Sequence, residues 1–122
     1  MQFPEHFPSN NEVPAYLFLG IDEIFVAGLS QQKRDMDCFK IFLDSDTAIL
    51  CQNPSYKKRG VAMCQLNNLV FTLASVDDPK IGEEYNIPTN SWKTLPLILF
   101  QLEYPSSVEY HGFIYLSGCN SE

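Results

Sequence analysis

The sequence predicts a mainly β protein, an antiparallel sandwich or small barrel of about eight short strands. Three observations carry that expectation. Short apolar runs recur at a spacing of roughly ten residues. The runs are rich in β-branched and aromatic residues, and several alternate with period 2. Links of two or three polar residues join neighbouring runs, and such links close antiparallel hairpins but are too short for parallel crossovers. The alternative is an α+β arrangement with one or two helices packed on an antiparallel sheet; it turns on 22–34 and 94–104.

Residues 1–14, "MQFPEHFPSNNEVP", read as an extended lead-in that Phe3 and Phe7 can pin to the body. "AYLFL" is the first run and ends at Gly20; "EIFVAGL" follows the Gly20-Ile21-Asp22 bend. Asp22 could cap a helix over 22–34, but Gly28 in its middle costs about 1 kcal/mol relative to Ala. The "IFV" triplet favours a strand as well. "DCFKIFL" places Phe39, Ile41 and Leu43 on one face and Cys38, Lys40 and Phe42 on the other. "TAILCQ" pairs with it across Asp44-Ser45-Asp46. "NPSYKKRG" is a loop opened by Asn53-Pro54 and closed by Gly60. "VAMCQL" and "LVFTLASV" form a hairpin on Asn67-Asn68, because Asn tolerates positive φ. Residues 77–94 show no clear periodicity. "LPLILFQLEY" and "VEYHGFIYLSG" complete the set as a pair of strands turning at Pro105-Ser106-Ser107, with a helix from Thr94 as the competing reading.

The chain has 122 residues, 45% of them hydrophobic. That supports one core, so 1–122 is read as a single domain. No apolar run approaches the ~18–20 residues of a membrane-crossing helix. The N-terminus lacks the basic and apolar regions of a secretory leader, so a cytoplasmic location is expected. Fifteen acidic and eight basic residues give a formal net charge of −7. Such a chain repels nucleic-acid phosphates and anionic membranes, and is drawn to a basic partner.

Asp44 and Asp46 resemble a metal-binding pair, but the calcium-loop pattern is not completed by a following Gly or a distal Glu. They are read as turn residues. Cys38, Cys51 and Cys64 are evenly spaced within apolar runs and behave as small hydrophobes, while Cys119 lies in the tail. No C-x-x-C pair suggests zinc or redox chemistry. His111 could act as an acid/base with Glu109 or Tyr110, or pair with Cys64, but a partly exposed strand histidine is the simpler reading. Lys57, Lys58 and Arg59 are read as a solvated loop tip; three charges are too few for a nucleic-acid face. No phosphate-binding or hydrolase motif occurs. No metal or cofactor is expected.

The 77–94 stretch gathers Asp77, Asp78, Glu83 and Glu84 with Tyr85 and the only tryptophan, Trp92. Long irregular segments in compact domains tend to be functional. Carboxylates that steer and aromatics that anchor suit recognition of a basic protein surface. The expected function is therefore a non-enzymatic acidic binding protein, in its most concrete form an intracellular inhibitor of the immunity or antitoxin kind. The alternatives are a small-molecule-binding β domain, for which nine Phe, six Tyr and one Trp could line a cavity, and a small enzyme using His111. Exposed edge strands also offer a route to a homodimer.

Overall fold

The structure is a computed structural model and describes residues 15–29 and 37–120. The lead-in over 1–14, with Phe3 and Phe7, and residues 30–34 of the competing helix lie outside the described residues. Among the described residues there are ten strands and no helix. The fold is mainly β and antiparallel throughout.

Two four-stranded meanders follow one another along the chain. The first sheet has the order β1 (Ala15–Phe18), β2 (Glu23–Leu29), β3 (Asp37–Phe42), β4 (Thr47–Leu50). The second has the order β5 (Ala62–Leu66), β6 (Leu69–Leu73), β7 (Gly82–Asn86), β8 (Ser91–Thr94). A long hairpin, β9 (Leu102–Tyr110) and β10 (Phe113–Asn120), completes the chain and packs against β5 through β9.

The turns follow their residues. Asp44-Ser45-Asp46 is a bend, as expected: Phe42 pairs with Thr47 across it, and Asp46 takes a φ of 55°. The Ser45 and Thr47 hydroxyls lie 2.8 Å apart. Asn67 takes a φ of 55° between paired Leu66 and Leu69. Asp and Asn adopt this left-handed backbone more readily than other non-glycine residues.

The two meanders share one core. Phe25, Ala27 and Cys38 of the first sheet, Cys51 just after β4, and Val70 and Tyr85 of the second form a buried cluster. Leu17, Met63 and Trp92 pack around it. The rings of Phe25, Tyr85 and Trp92 fill the seam, with centroids 5.2 Å apart for Phe25–Tyr85 and 4.9 Å for Tyr85–Trp92. Each fully buried large side chain stabilises by about 1.5–3 kcal/mol. A second cluster, Val26, Phe39 and Ile41, lies on the opposite face of β2 and β3. These strands are therefore apolar on both faces.

Gly28, a helix breaker in the sequence, has a positional role. It sits at a bulge between β2 and β3 with a φ of 83°. A Cβ there would lie 2.7 Å from the Lys58 carbonyl oxygen. Glycine therefore lets the 53–60 segment approach β2.

Three expectations are corrected. Residues 77–94 are not irregular throughout: 82–94 form the β7–β8 hairpin, whose polar residues hid its period. Residues 95–101 are neither strand nor helix, and β9 runs straight through Pro105-Ser106-Ser107. The pairing of β9 with β10 shifts beside these residues, between Ser117 and Cys119. A bulge accommodates a proline that has no N–H to donate. The true turn is His111-Gly112, both at positive φ (51° and 82°), as a tight two-residue hairpin link favours.

Candidate functional site

Strand alternation divides the expected docking residues between two environments. On β7, Glu83 and Tyr85 share the inward face, and Glu84 points the other way, opposite Lys93. Glu83 is 0% exposed and Tyr85 1%. Neither can meet a partner docked on the folded chain, and their expected part in a docking surface is corrected. Trp92, half-buried opposite Tyr85, donates its indole N–H to the Gln52 carbonyl at 2.6 Å. Tyr85 donates its hydroxyl to Asn90 Oδ1 at 2.6 Å, and the same oxygen accepts the Gln52 amide at 2.9 Å. Trp92 and Asn90 of the second sheet thus hold Gln52, which follows the first.

Glu83 organises the loop before β5. Its Oε1 accepts Lys58 Nζ at 2.6 Å and the Tyr56 amide at 3.1 Å; its Oε2 accepts the Ser55 amide at 3.2 Å. Lys58 is 2% exposed, and its Nζ also lies 5.2 Å from the centre of the Trp92 ring. The solvated basic tip expected over Lys57, Lys58 and Arg59 is thus corrected: Lys58 is buried, and Arg59 reaches Asp77 at 3.1 Å. Burial pulls the Lys58 amine below its ordinary value, against the opposing hydrogen bond and charge of Glu83.

Asp77 and Asp78 stay at the surface, and the fold brings them to residues the sequence did not single out. The β6–β7 connection faces the start of β9 across a groove of about 260 Å³. Ala74, Val76, Glu103 and Tyr104 line it. A second, shallower hollow of about 310 Å³ is lined by Asp77, Asp78 and Lys80. Pro79 and Gln101 border both hollows, making them one continuous surface.

The groove walls are held by backbone bonds. Ala74 donates to the Ile81 carbonyl at 3.1 Å, Val76 to Arg59 at 2.8 Å and Ile98 to Lys80 at 2.9 Å. The Asp78 amide donates to Ser75 Oγ at 3.1 Å. Two wall residues carry unusual backbone. Ala74 and Tyr104 have φ values of 62° and 51°. The other described non-glycine residues at positive φ are Asp, Asn and His, the types enriched there. Such conformations cost of order 1–3 kcal/mol and cluster at functional sites. At Tyr104 the strain accompanies the β9 bulge and leaves the side chain 87% exposed at the groove.

His111 stands exposed at the hairpin tip, its ring stacked on Tyr110 at 4.0 Å. The Glu109 carboxylate accepts the Gly112 amide at 2.8 Å, closing the turn. This is a turn position, not the concave site an acid/base residue requires. Among the described residues no group of three or more His, Cys, Asp or Glu side chains is placed to hold a metal ion. The sequence offered no signal for Glu103 and Tyr104, because a bulge and its left-handed residue leave no periodic trace.

Comparison with protein-family models and with curated proteins found no match for this chain.

Proposed function

We propose that this is a non-enzymatic binding protein that docks a basic segment of a partner protein along the Asp77–Asp78–Glu103 groove. The observation that carries the reading is the coincidence of charge and strain at one surface. Three carboxylates and one lysine, Lys80, line the two hollows; Asp77 is paired with Arg59, which leaves Asp78 and Glu103 as the charges offered to a partner, and two non-glycine residues in left-handed backbone wall the deeper hollow. Strain at a surface groove is retained where it positions a group, and here that group is the exposed Tyr104 ring. Tyrosine supplies large contact area at low conformational cost.

The adjoining hairpin supports the same polarity. Val108, Tyr110, Phe113 and Tyr115 are exposed in two cross-strand pairs on one face. The sequence carries no Lys or Arg after Lys93. A positively charged partner therefore meets acidic and aromatic groups from the groove to the hairpin tip. An inhibitor of a basic toxin or nuclease, of the immunity or antitoxin kind and acting inside the cell, is the concrete form of this reading.

The test is an array of extended decapeptides with Arg or Lys at alternating positions, probed with the whole chain at low and high salt. The expected result is capture of basic peptides that salt weakens and that Asp78→Lys with Glu103→Lys reduces at least tenfold, about 1.4 kcal/mol. Equal capture by the reversed-charge variant removes the groove from the account.

A further inference from the structure

The even spacing of Cys38, Cys51 and Cys64 acquires a meaning for the first two. In the β3–β4 ladder Phe39 faces Leu50, so the next pair outward is Cys38 and Cys51. The Cys51 amide donates to the Cys38 carbonyl at 2.8 Å, which fixes that pairing just beyond the end of β4. Alternation puts both side chains on the inner face of the sheet, and both belong to the same buried cluster. Directly opposed antiparallel residues have Cα atoms about 4.5–5.5 Å apart. A disulfide accepts Cα separations of about 4.4–6.8 Å. All four cysteines are thiols in this structure. Cys64, on β5, instead faces Ser107 of β9, and Cys119 is exposed on β10.

The geometry points to Cys38 and Cys51 as a disulfide site, a cross-strand bond that forms when the chain meets a small-molecule disulfide such as oxidised glutathione. Cys51 retains slight solvent contact and Cys38 has none, so Cys51 reacts first. Its thiolate attacks one sulfur of glutathione disulfide, forming a mixed disulfide and expelling a glutathione thiolate. The Cys38 thiolate then attacks the Cys51 sulfur and expels the second glutathione. Two protein thiols are oxidised, one glutathione disulfide is reduced to two thiols, and the two protons pass from protein to glutathione. Burial holds both thiols protonated, so the exchange proceeds through local opening or during folding.

The bond would lock the exit of β4. The next residue, Gln52, accepts from Trp92 and donates to Asn90, so the locked segment is one that ties the first sheet to the second. Oxidation therefore acts on the seam between the sheets. This inference is independent of the groove and of any partner.

The experiment refolds the full chain from urea in a glutathione redox buffer, traps thiols with an alkylating reagent and maps disulfides by mass spectrometry without reduction. The expected result is a dominant Cys38–Cys51 cross-link and a urea midpoint higher than that of the reduced chain. The Cys64→Ser/Cys119→Ser variant should form the same link, and Cys51→Ser should leave Cys38 unlinked. Mapping of the unsubstituted chain decides the matter even if a variant fails to fold. Cross-links spread evenly over the possible cysteine pairs, glutathione retained on Cys51 without exchange, or a linked chain that unfolds at lower urea than the reduced one would each overturn the proposal.

Discussion

Lys58 and Glu83 form an ion pair inside the protein, 2.6 Å from Nζ to Oε1, with side chains 3% and 0% exposed. The pair comes from two charges that look like surface residues in the sequence. Two backbone amides complete the carboxylate's shell, so the 53–60 loop folds around it. Removing one partner strands the other charge in the core. Glu83→Ala is expected to cost about 3–5 kcal/mol, read from urea unfolding. Lys58→Met with Glu83→Leu should recover a substantial part of that loss. A Glu83→Ala cost below about 1 kcal/mol would show that the charge is not confined as described.

Gly28 lies under the same loop. Gly28→Ala places a methyl against the Lys58 carbonyl at a φ of 83°. The expected cost exceeds about 1 kcal/mol, since alanine is strained at positive φ even in open space. Gly112→Ala has the same φ problem with open space around it, so it should be the milder of the two. Equal costs would argue that Lys58 does not press on Gly28.

Alkaline pH should weaken the fold. Burial raises the thiols of Cys38, Cys51 and Cys64 above their ordinary 9.0, and the Tyr85 hydroxyl above 10.0. Between these ordinary values and the raised ones the folded chain holds protons that the unfolded chain has released. Stability from these groups is complete below pH 9.0 and declines as pH rises through the folded values. Lys58 acts in the opposite sense, because its lowered folded value lets the unfolded chain bind the extra proton up to 10.5. Four groups oppose one, so urea midpoints should fall between about pH 9 and 11. Tyr85→Phe should flatten the part of the decline above 10.0. A midpoint that rises across this range contradicts the assignment.

Tyr104 should show a trade between stability and binding. Tyr104→Gly relieves left-handed backbone and is expected to stabilise by about 1–2 kcal/mol, while lowering the affinity for basic peptides. Tyr104→Phe keeps the ring and the strain and should change both properties little. Destabilisation by Tyr104→Gly would indicate that the ring packs on the body, against its 87% exposure.

The fold was legible where strands alternate and turns carry their signature residues. Phe39 and Ile41 against Lys40, the Asp44-Ser45-Asp46 bend and the Asn67-Asn68 link all lie where pattern placed them. The reading failed where polar residues occupy a core face. Glu83 between Gly82 and Glu84 carries no sign that its alternate position points inward, because only the third dimension supplies Lys58. Pro105 reads as a turn in the sequence because it has no N–H to donate, and the bulge that accommodates it is set by pairing with β10. Asp77 and Asp78 were identifiable as surface carboxylates, yet their neighbours Glu103 and Tyr104 lie far along the chain. The Cys38–Cys51 pairing needed the register of β3 on β4, which Leu43 conceals: it reads as a strand residue on the face of Phe39 and Ile41, but it belongs to the four-residue link between paired Phe42 and Thr47.

The groove's preference for positive charge is the central claim, and a nuclear magnetic resonance titration reads it residue by residue. An extended Arg-rich decapeptide is added to isotope-labelled protein, with its Glu-substituted counterpart as control. The predicted result is amide shifts concentrated in 74–81 and 101–105, saturating with the basic peptide alone and weakening with added salt. Shifts that leave both segments untouched, or that appear equally with the acidic peptide, would contradict it.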